Sequence, residues 1–192
     1  MILLYHGNKK TQGVIQMFNI DNTLLAQIIG FIGTIIIVIG MQQKKYGRIV
    51  FCKISNEFIA AIHYFLLGGY TGMLINFASC FTNGVYWYRN KKGKSTLIFQ
   101  IIFGIMFVIL GALSWHGPIS IFVVAAKLIS SVSLGINNPR IIRILNLIST
   151  PCWLIYNIYM GSIPGIISDI LVIGSVVIAV VRLDILKKQN KA

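Results

Sequence analysis

Long apolar runs separated by short polar turns dominate the chain from Leu24 onward. Seven runs stand out: Leu24–Met41, Ser55–Gly69, Thr71–Tyr88, Leu97–Ser114, Ile119–Gly135, Ile141–Tyr159 and Ile163–Val181. Each approaches the roughly 20 residues that an α-helix needs to cross a ~30 Å hydrocarbon core. The second run is the shortest and carries Glu57 and His63. The turns Gly68-Gly69-Tyr70-Thr71-Gly72 and Gly161-Ser162-Ile163-Pro164-Gly165 are rich in helix breakers, so each divides two helices that a hydropathy window merges. The pattern predicts an all-α membrane protein with seven transmembrane helices.

Composition points to the same solvent. Charged residues make up 11% of the chain and hydrophobic ones 56%, whereas soluble domains carry about 25% charged residues. The formal charge of +13 comes from 17 basic and 4 acidic residues. On a soluble chain this would suggest nucleic acid. Here the cations sit in short clusters between apolar runs, and no basic, aromatic-studded domain exists to carry RNA or DNA. The clusters alternate. Lys44, Lys45, Arg48 and Lys53 follow the first run, and Arg89, Lys91, Lys92 and Lys94 follow the third. Arg140 and Arg143 follow the fifth, and Arg182, Lys187, Lys188 and Lys191 follow the seventh. The connections after the second, fourth and sixth runs have none. By the positive-inside rule the N-terminus is expected outside and the C-terminus in the cytoplasm.

A shift of 93 residues places Gly68 on Gly161, Gly72 on Gly165, Asn76 on Asp169 and Arg89 on Arg182. It also lays the polar turn Gln42-Gln43-Lys44-Lys45-Tyr46 on Gly135-Ile136-Asn137-Asn138-Pro139. Three crossings reverse the chain's direction, so a second copy in the same orientation needs one more crossing, which Leu97–Ser114 supplies. The expected organisation is an extracytoplasmic segment 1–22, a three-helix repeat 23–92, a linker helix 93–115, a second repeat 116–183 and a cytoplasmic tail 184–192. Met17 directly precedes the first strongly apolar stretch, and we expect it to be the native start, with residues 1–16 dispensable. Parallel repeats are a known transporter plan, with the solute near the midplane between them.

Polar groups inside such runs mark packing contacts or a pathway. Asp169 is the strongest candidate, because an acid in mid-span costs about 2.5 to 3.5 kcal/mol on insertion scales. Among the four acids it alone reads as deep. Lys127 lies within the fifth run beside Ser130, Ser131 and Ser133, and could pair with Asp169 or snorkel to the surface. His63 could relay protons or donate a hydrogen bond to a neighbouring helix. Tyr64, Tyr156 and Asn157, near the glycine turns, could add hydroxyl and amide contacts to a solute. Ala26, Gly30 and Gly33 line up as a close-packing face. Tyr86, Trp87 and Tyr88 beside Arg89 read as an interfacial anchor. Cys52, Cys80 and Cys152 show no metal-ligand spacing and read as packing residues. No catalytic, nucleotide, cofactor or metal motif stands out, so an enzyme is not expected.

The layout of three, one and three helices resembles the SWEET and PQ-loop superfamily, whose half-size members are the SemiSWEET sugar transporters. Gln42-Gln43 stands where that pattern has Pro-Gln. A closer resemblance is to the YgjV-type bacterial inner-membrane proteins, over roughly residues 24–185. It is carried by Leu25-Ala26-Gln27, by His63-Tyr64-Phe65-Leu66-Leu67-Gly68 with Asn76, and by Ser149-Thr150-Pro151-Cys152-Trp153 leading to Asn157 and Gly161-Ser162. In SWEET-like proteins a Trp on the second helix of a repeat and an Asn on the third frame the sugar pocket. The resemblance therefore implies that Trp153, Asp169 and Asn76 take those places, with Ala60 leaving one wall open. It also implies a bacterial cytoplasmic membrane. The expected function is a transporter or facilitator of a small polar solute, sugar-like or another metabolite, working by alternating access. The competing expectation is a non-transporting assembly or regulatory subunit. Expected partners are the solute and the lipid bilayer; the sequence leaves a monomer or a homodimer open.

Overall fold

The computed structural model describes the backbone over residues 9–185 and side chains over residues 22–182. Seven α-helices follow one another: α1 (Lys9–Met41), α2 (Tyr46–Leu66), α3 (Tyr70–Lys91), α4 (Leu97–Leu113), α5 (Ile119–Gly135), α6 (Pro139–Tyr159) and α7 (Ile163–Ala179). A π-helical stretch, Val180–Ile185, continues α7. Four stretches are long and apolar enough to cross a membrane: Asn22–Met41, Tyr46–Leu66, Pro139–Tyr159 and Ile163–Arg182. The apolar helices α4 and α5 are shorter, at 17 residues each.

Helix ends follow local chemistry. The polar turn before α6 places Asn138 at the N-cap, where its side chain accepts from the Arg140 amide at 3.0 Å, with Pro139 in the first turn. Ser162 caps α7 by accepting from the Gly165 amide at 3.1 Å. Just past the ends of α2 and α6, Gly68 and Gly161 take left-handed φ values of 73° and 64°. That conformation closes a helix at little cost only for glycine.

Two boundaries differ from the hydropathy reading. The second helix starts at Tyr46 rather than Ser55, because Arg48 and Lys53 depress the local hydropathy while the backbone stays helical. Lys53 is thus not in a loop; it lies inside α2, 7% exposed. The first helix runs back to Lys9, through the segment expected to precede the membrane. Met17 falls in that stretch, and its side chain lies outside the described residues, as do residues 186–192 of the expected tail.

The helices pack in the cyclic order α1, α2, α3, α5, α6, α7, closing where α7 meets α1, and α4 lies against α3 and α5. On α4 the inward stripe is Phe103, Phe107 and Gly111, spaced at one helical turn, while Leu97, Ile98, Ile101, Ile105 and Leu113 face out. Exposed Leu, Ile, Val and Phe clothe every helix, whereas Lys53, Glu57, Asn83, Lys127 and Asn157 are buried. Such an apolar exterior is far larger than the patches soluble monomers expose, and it suits lipid.

The small-residue face of α1 brings three helices together. A Cβ on Gly30 would lie 2.6 Å from Pro164 Cγ and 2.9 Å from His63 Nδ1, and one on Gly33 would lie 2.9 Å from Asn56 Oδ1. The expected aromatic anchor divides. Trp87 and Tyr88 are exposed, with Lys91 and Lys92 over their rings at 5.3 and 4.8 Å. Tyr86 instead turns inward, fully buried, and its hydroxyl meets Ser131 Oγ at 2.8 Å. Three consecutive residues cannot share one face of a helix, so one of them joins the core.

Candidate functional site

The ring of six helices lines a partly open cavity of about 110 Å³, enough for several waters or one small polar molecule. Its charged residues fall into two layers along the bundle.

One layer centres on Glu57. Residues four apart on a helix share a face, so Lys53 and Glu57 both turn from α2 into the bundle; Lys127 and Ser130, three apart on α5, face them. Lys127 Nζ donates to Glu57 Oε1 at 2.5 Å, and Asn83 Nδ2 donates to Glu57 Oε2 at 2.5 Å. Lys127 is 2% exposed and Glu57 5%. The ammonium also lies 5.8 Å from the centre of the Phe107 ring. One turn nearer the start of α2, Lys53 Nζ donates to Ser130 Oγ at 3.0 Å and to Asn146 Oδ1 at 2.9 Å.

This corrects two expectations. Lys127 neither pairs with Asp169 nor reaches the surface, because the face of α5 that carries it looks at α2. Asp169 is also not the lone deep acid: Glu57 is fully embedded, and its charge is met by Lys127 and an amide. The sequence carried a usable signal. Lys53 and Glu57 at i and i+4 form one inward stripe, and Asn146 is 93 residues from the lysine it binds.

The other layer centres on Asp169. Asn157 Nδ2 donates to Asp169 Oδ2 at 2.8 Å, and Tyr64 donates its hydroxyl to Asn157 Oδ1 at 2.6 Å. Tyr64 stacks on Trp153 with ring centres 6.2 Å apart and planes 17° apart. Tyr156 stands edge-on to both. Its hydroxyl accepts from the Gly72 amide at 3.2 Å, so it supports the aromatic wall from behind the cavity. Asn76 Nδ2 donates to Gly72 O at 2.8 Å, and Asn76 still lines the cavity. Of the residues singled out from sequence, Asn76, Trp153, Asp169, His63, Asn157 and Lys127 line one space.

His63 is tied at both nitrogens. Nδ1 lies 2.7 Å from the Ala26 carbonyl and Nε2 lies 2.7 Å from Ser162 Oγ. A carbonyl only accepts, so Nδ1 carries a hydrogen, and the Ser162 hydroxyl is free to donate to Nε2. The ring thus joins α1, α2 and the α6–α7 turn. His63→Ala should lower stability by about 1–3 kcal/mol, the range for a buried polar group losing its partner. Thermal unfolding of the purified protein measures this, and an unchanged midpoint would refute the tie.

The model of the Imp-YgjV family, described as a bacterial inner membrane protein, matches residues 24–187. The chain belongs to the YgjV family. It is similar to the inner membrane protein YgjV of Escherichia coli (strain K12), at 26% identity over 141 residues, covering 73% of this chain and 74% of that relative. No solved structure matches the chain. Membership of the YgjV family, together with several apolar helices, makes this a multi-pass protein of the bacterial inner membrane. The cavity, from Gly30 to Val172, lies wholly within the stretch that the YgjV family model covers.

Proposed function

We propose that this protein transports or facilitates the passage of a small polar solute by alternating access between two parallel three-helix units, α1–α3 and α5–α7, linked by α4. The observation that carries the reading is the polar cavity between the two halves, inside a bundle whose outer surface is apolar. Buried polar residues are costly in such a setting unless they are glue or a pathway, and an open polar space is not needed for glue.

The paired-repeat arrangement draws support from where the repeat mates meet. Lys53 bonds Asn146 and Tyr64 bonds Asn157, each pair 93 residues apart. Side chains that touch their own repeat mates are expected beside a two-fold axis. The left-handed glycines Gly68 and Gly161 keep the same offset. Exchanging α1–α3 for α5–α7 also maps the packing pairs α1 with α7 and α3 with α5 onto each other. With the N-terminus outside, the Asp169 layer lies toward the exterior and the Glu57 layer toward the cytoplasm. Rocking then means breaking one set of contacts between halves at a time. Lys127–Glu57 and Lys53–Ser130 close the inner side, and His63–Ser162 and Thr34 Oγ1 to Pro164 O, at 3.2 Å, close the outer.

The test is flux into proteoliposomes across a panel of polar metabolites, including sugars, amino acids and amines. A transported solute should lose at least tenfold in rate with Asp169→Leu while the variant stays monodisperse and folded. Absence of protein-dependent flux across the panel would overturn the proposal and favour an assembly or regulatory subunit.

A further inference from the structure

The charges around the cavity do not balance locally. Glu57 is matched by Lys127, and Lys53 rests on two neutral acceptors in the same layer. Asp169 receives one neutral donor, the Asn157 amide on Oδ2, and no Lys or Arg among the described residues pairs with it. A carboxylate offers about four acceptor sites, and this one, half-buried on the cavity wall, meets a single neutral donor among the described residues. Nor can Asn157 relieve it further by turning, because its other atom, Oδ1, is held by the Tyr64 hydroxyl. The arrangement therefore leaves a carboxylate on the cavity wall with no cation paired to it among the described residues.

The walls beside it suit such a charge. Trp153 and Tyr64 line the cavity next to Asp169, and the electron-rich faces of aromatic rings attract cations. The cations already present do not fill the need. The charge of Lys127 is answered by Glu57, and Lys53 sits eleven residues along α2 from Tyr64, a rise of about 16 Å. A neutral polyol would satisfy hydrogen bonds but leave the carboxylate's charge uncompensated.

Resting on the reading of this cavity as a solute site, we infer that the solute is an organic cation, with an ammonium group on Asp169 and its flank against Trp153. Thermal shift and calorimetry on the detergent-purified full chain test this with n-butylammonium, tetramethylammonium, n-butanol, butyrate and sodium chloride as probes. Both ammonium ions should raise the unfolding midpoint and bind, whereas butanol, butyrate and sodium chloride at matched concentration should not. Asp169→Asn should weaken ammonium binding at least tenfold, and Asp169→Glu should retain most of it. Trp153→Leu should weaken tetramethylammonium severalfold, giving a readout that leaves the carboxylate untouched. Butanol binding as well as butylammonium, sodium chloride reproducing the shift, or unchanged ammonium binding in Asp169→Asn would each overturn the inference. Binding in micelles is independent of flux. Ammonium binding without transport would sink the transporter reading alone, and transport of a neutral solute without ammonium binding would sink this one alone.

Discussion

Glu57→Leu is expected to lower the stability of the protein by about 3–5 kcal/mol, the usual cost of removing one partner from a buried ion pair. The carboxylate is the counter-charge of its layer. Without it, Lys127 keeps a buried ammonium whose nearest compensation among the described residues is the Phe107 ring, and Lys53, one turn away on α2 and held by neutral acceptors, loses the one nearby negative charge. Lys127→Met should cost less. It leaves the carboxylate with the Asn83 amide and with Lys53 on the same face of the helix to move toward it. The double substitution Glu57→Leu with Lys127→Met should recover most of the loss, because replacing both members of a buried pair with apolar groups of similar size is often neutral. Thermal unfolding in detergent checks all three. Equal loss in the single and double variants would show that packing at these positions, and not charge, sets stability.

Gly30→Leu should be comparably damaging. The first carbon alone would stand 2.6 Å from Pro164 and 2.9 Å from His63, so α1 must shift away from both α2 and α7. Overpacking of this kind costs about 1–3 kcal/mol and sometimes more. Here it also parts His63 from the Ala26 carbonyl, so the unfolding midpoint should fall further than for Gly33→Ala, where the contact at 2.9 Å is with the flexible end of Asn56. Gly84 supplies the opposite control. A Cβ there meets nothing within 4 Å, so Gly84→Ala should be neutral or stabilise α3 by up to about 1 kcal/mol, the helix preference of alanine over glycine. A larger loss at Gly84 than at Gly30 would refute the three-helix junction.

The two variants bear on how the site could be recognised. Most of its residues were visible one at a time, because a polar side chain in an apolar run is conspicuous. Asp169, Lys127 and His63 are identifiable in this way, Asn76 as the repeat mate of Asp169 and Trp153 only through the SWEET-like resemblance, and all five share one cavity. Glu57 reads in the sequence only as a polar interruption of a short apolar run, because hydropathy starts that run at Ser55 whereas the helix starts at Tyr46. Lys53 falls with the basic turn for the same reason: a charge lowers hydropathy whether it sits in water or against a buried partner. Asn146 carries no signal in the sequence, and Ser130 stands out only as a neighbour of Lys127, because an amide or hydroxyl in a helix is common and only its partner gives it meaning. Gln42 is similar. It stands in a polar turn, yet its amide donates to Ser175 Oγ at 2.6 Å and its carbonyl accepts from Arg182 at 2.7 Å, which ties the first turn to the end of α7.

Seven helices, the glycine-rich turns that end two of them, an apolar exterior and membership of a bacterial inner-membrane family are all legible in the sequence. These follow from properties read locally along the chain: the length of an apolar run, the left-handed backbone that glycine accepts, the motifs of a family. That Lys127 pairs with Glu57, that Tyr86 points inward while its neighbours point out, and that an amide is the partner of Asp169 among the described residues emerge only from the packed helices. Those choices depend on how each helix is rotated and which helix it faces. A buried charge takes the partner that this rotation brings within reach, and apolar patterning in a chain clothed in lipid carries little record of it, since lipid-facing and helix-facing surfaces are almost equally apolar.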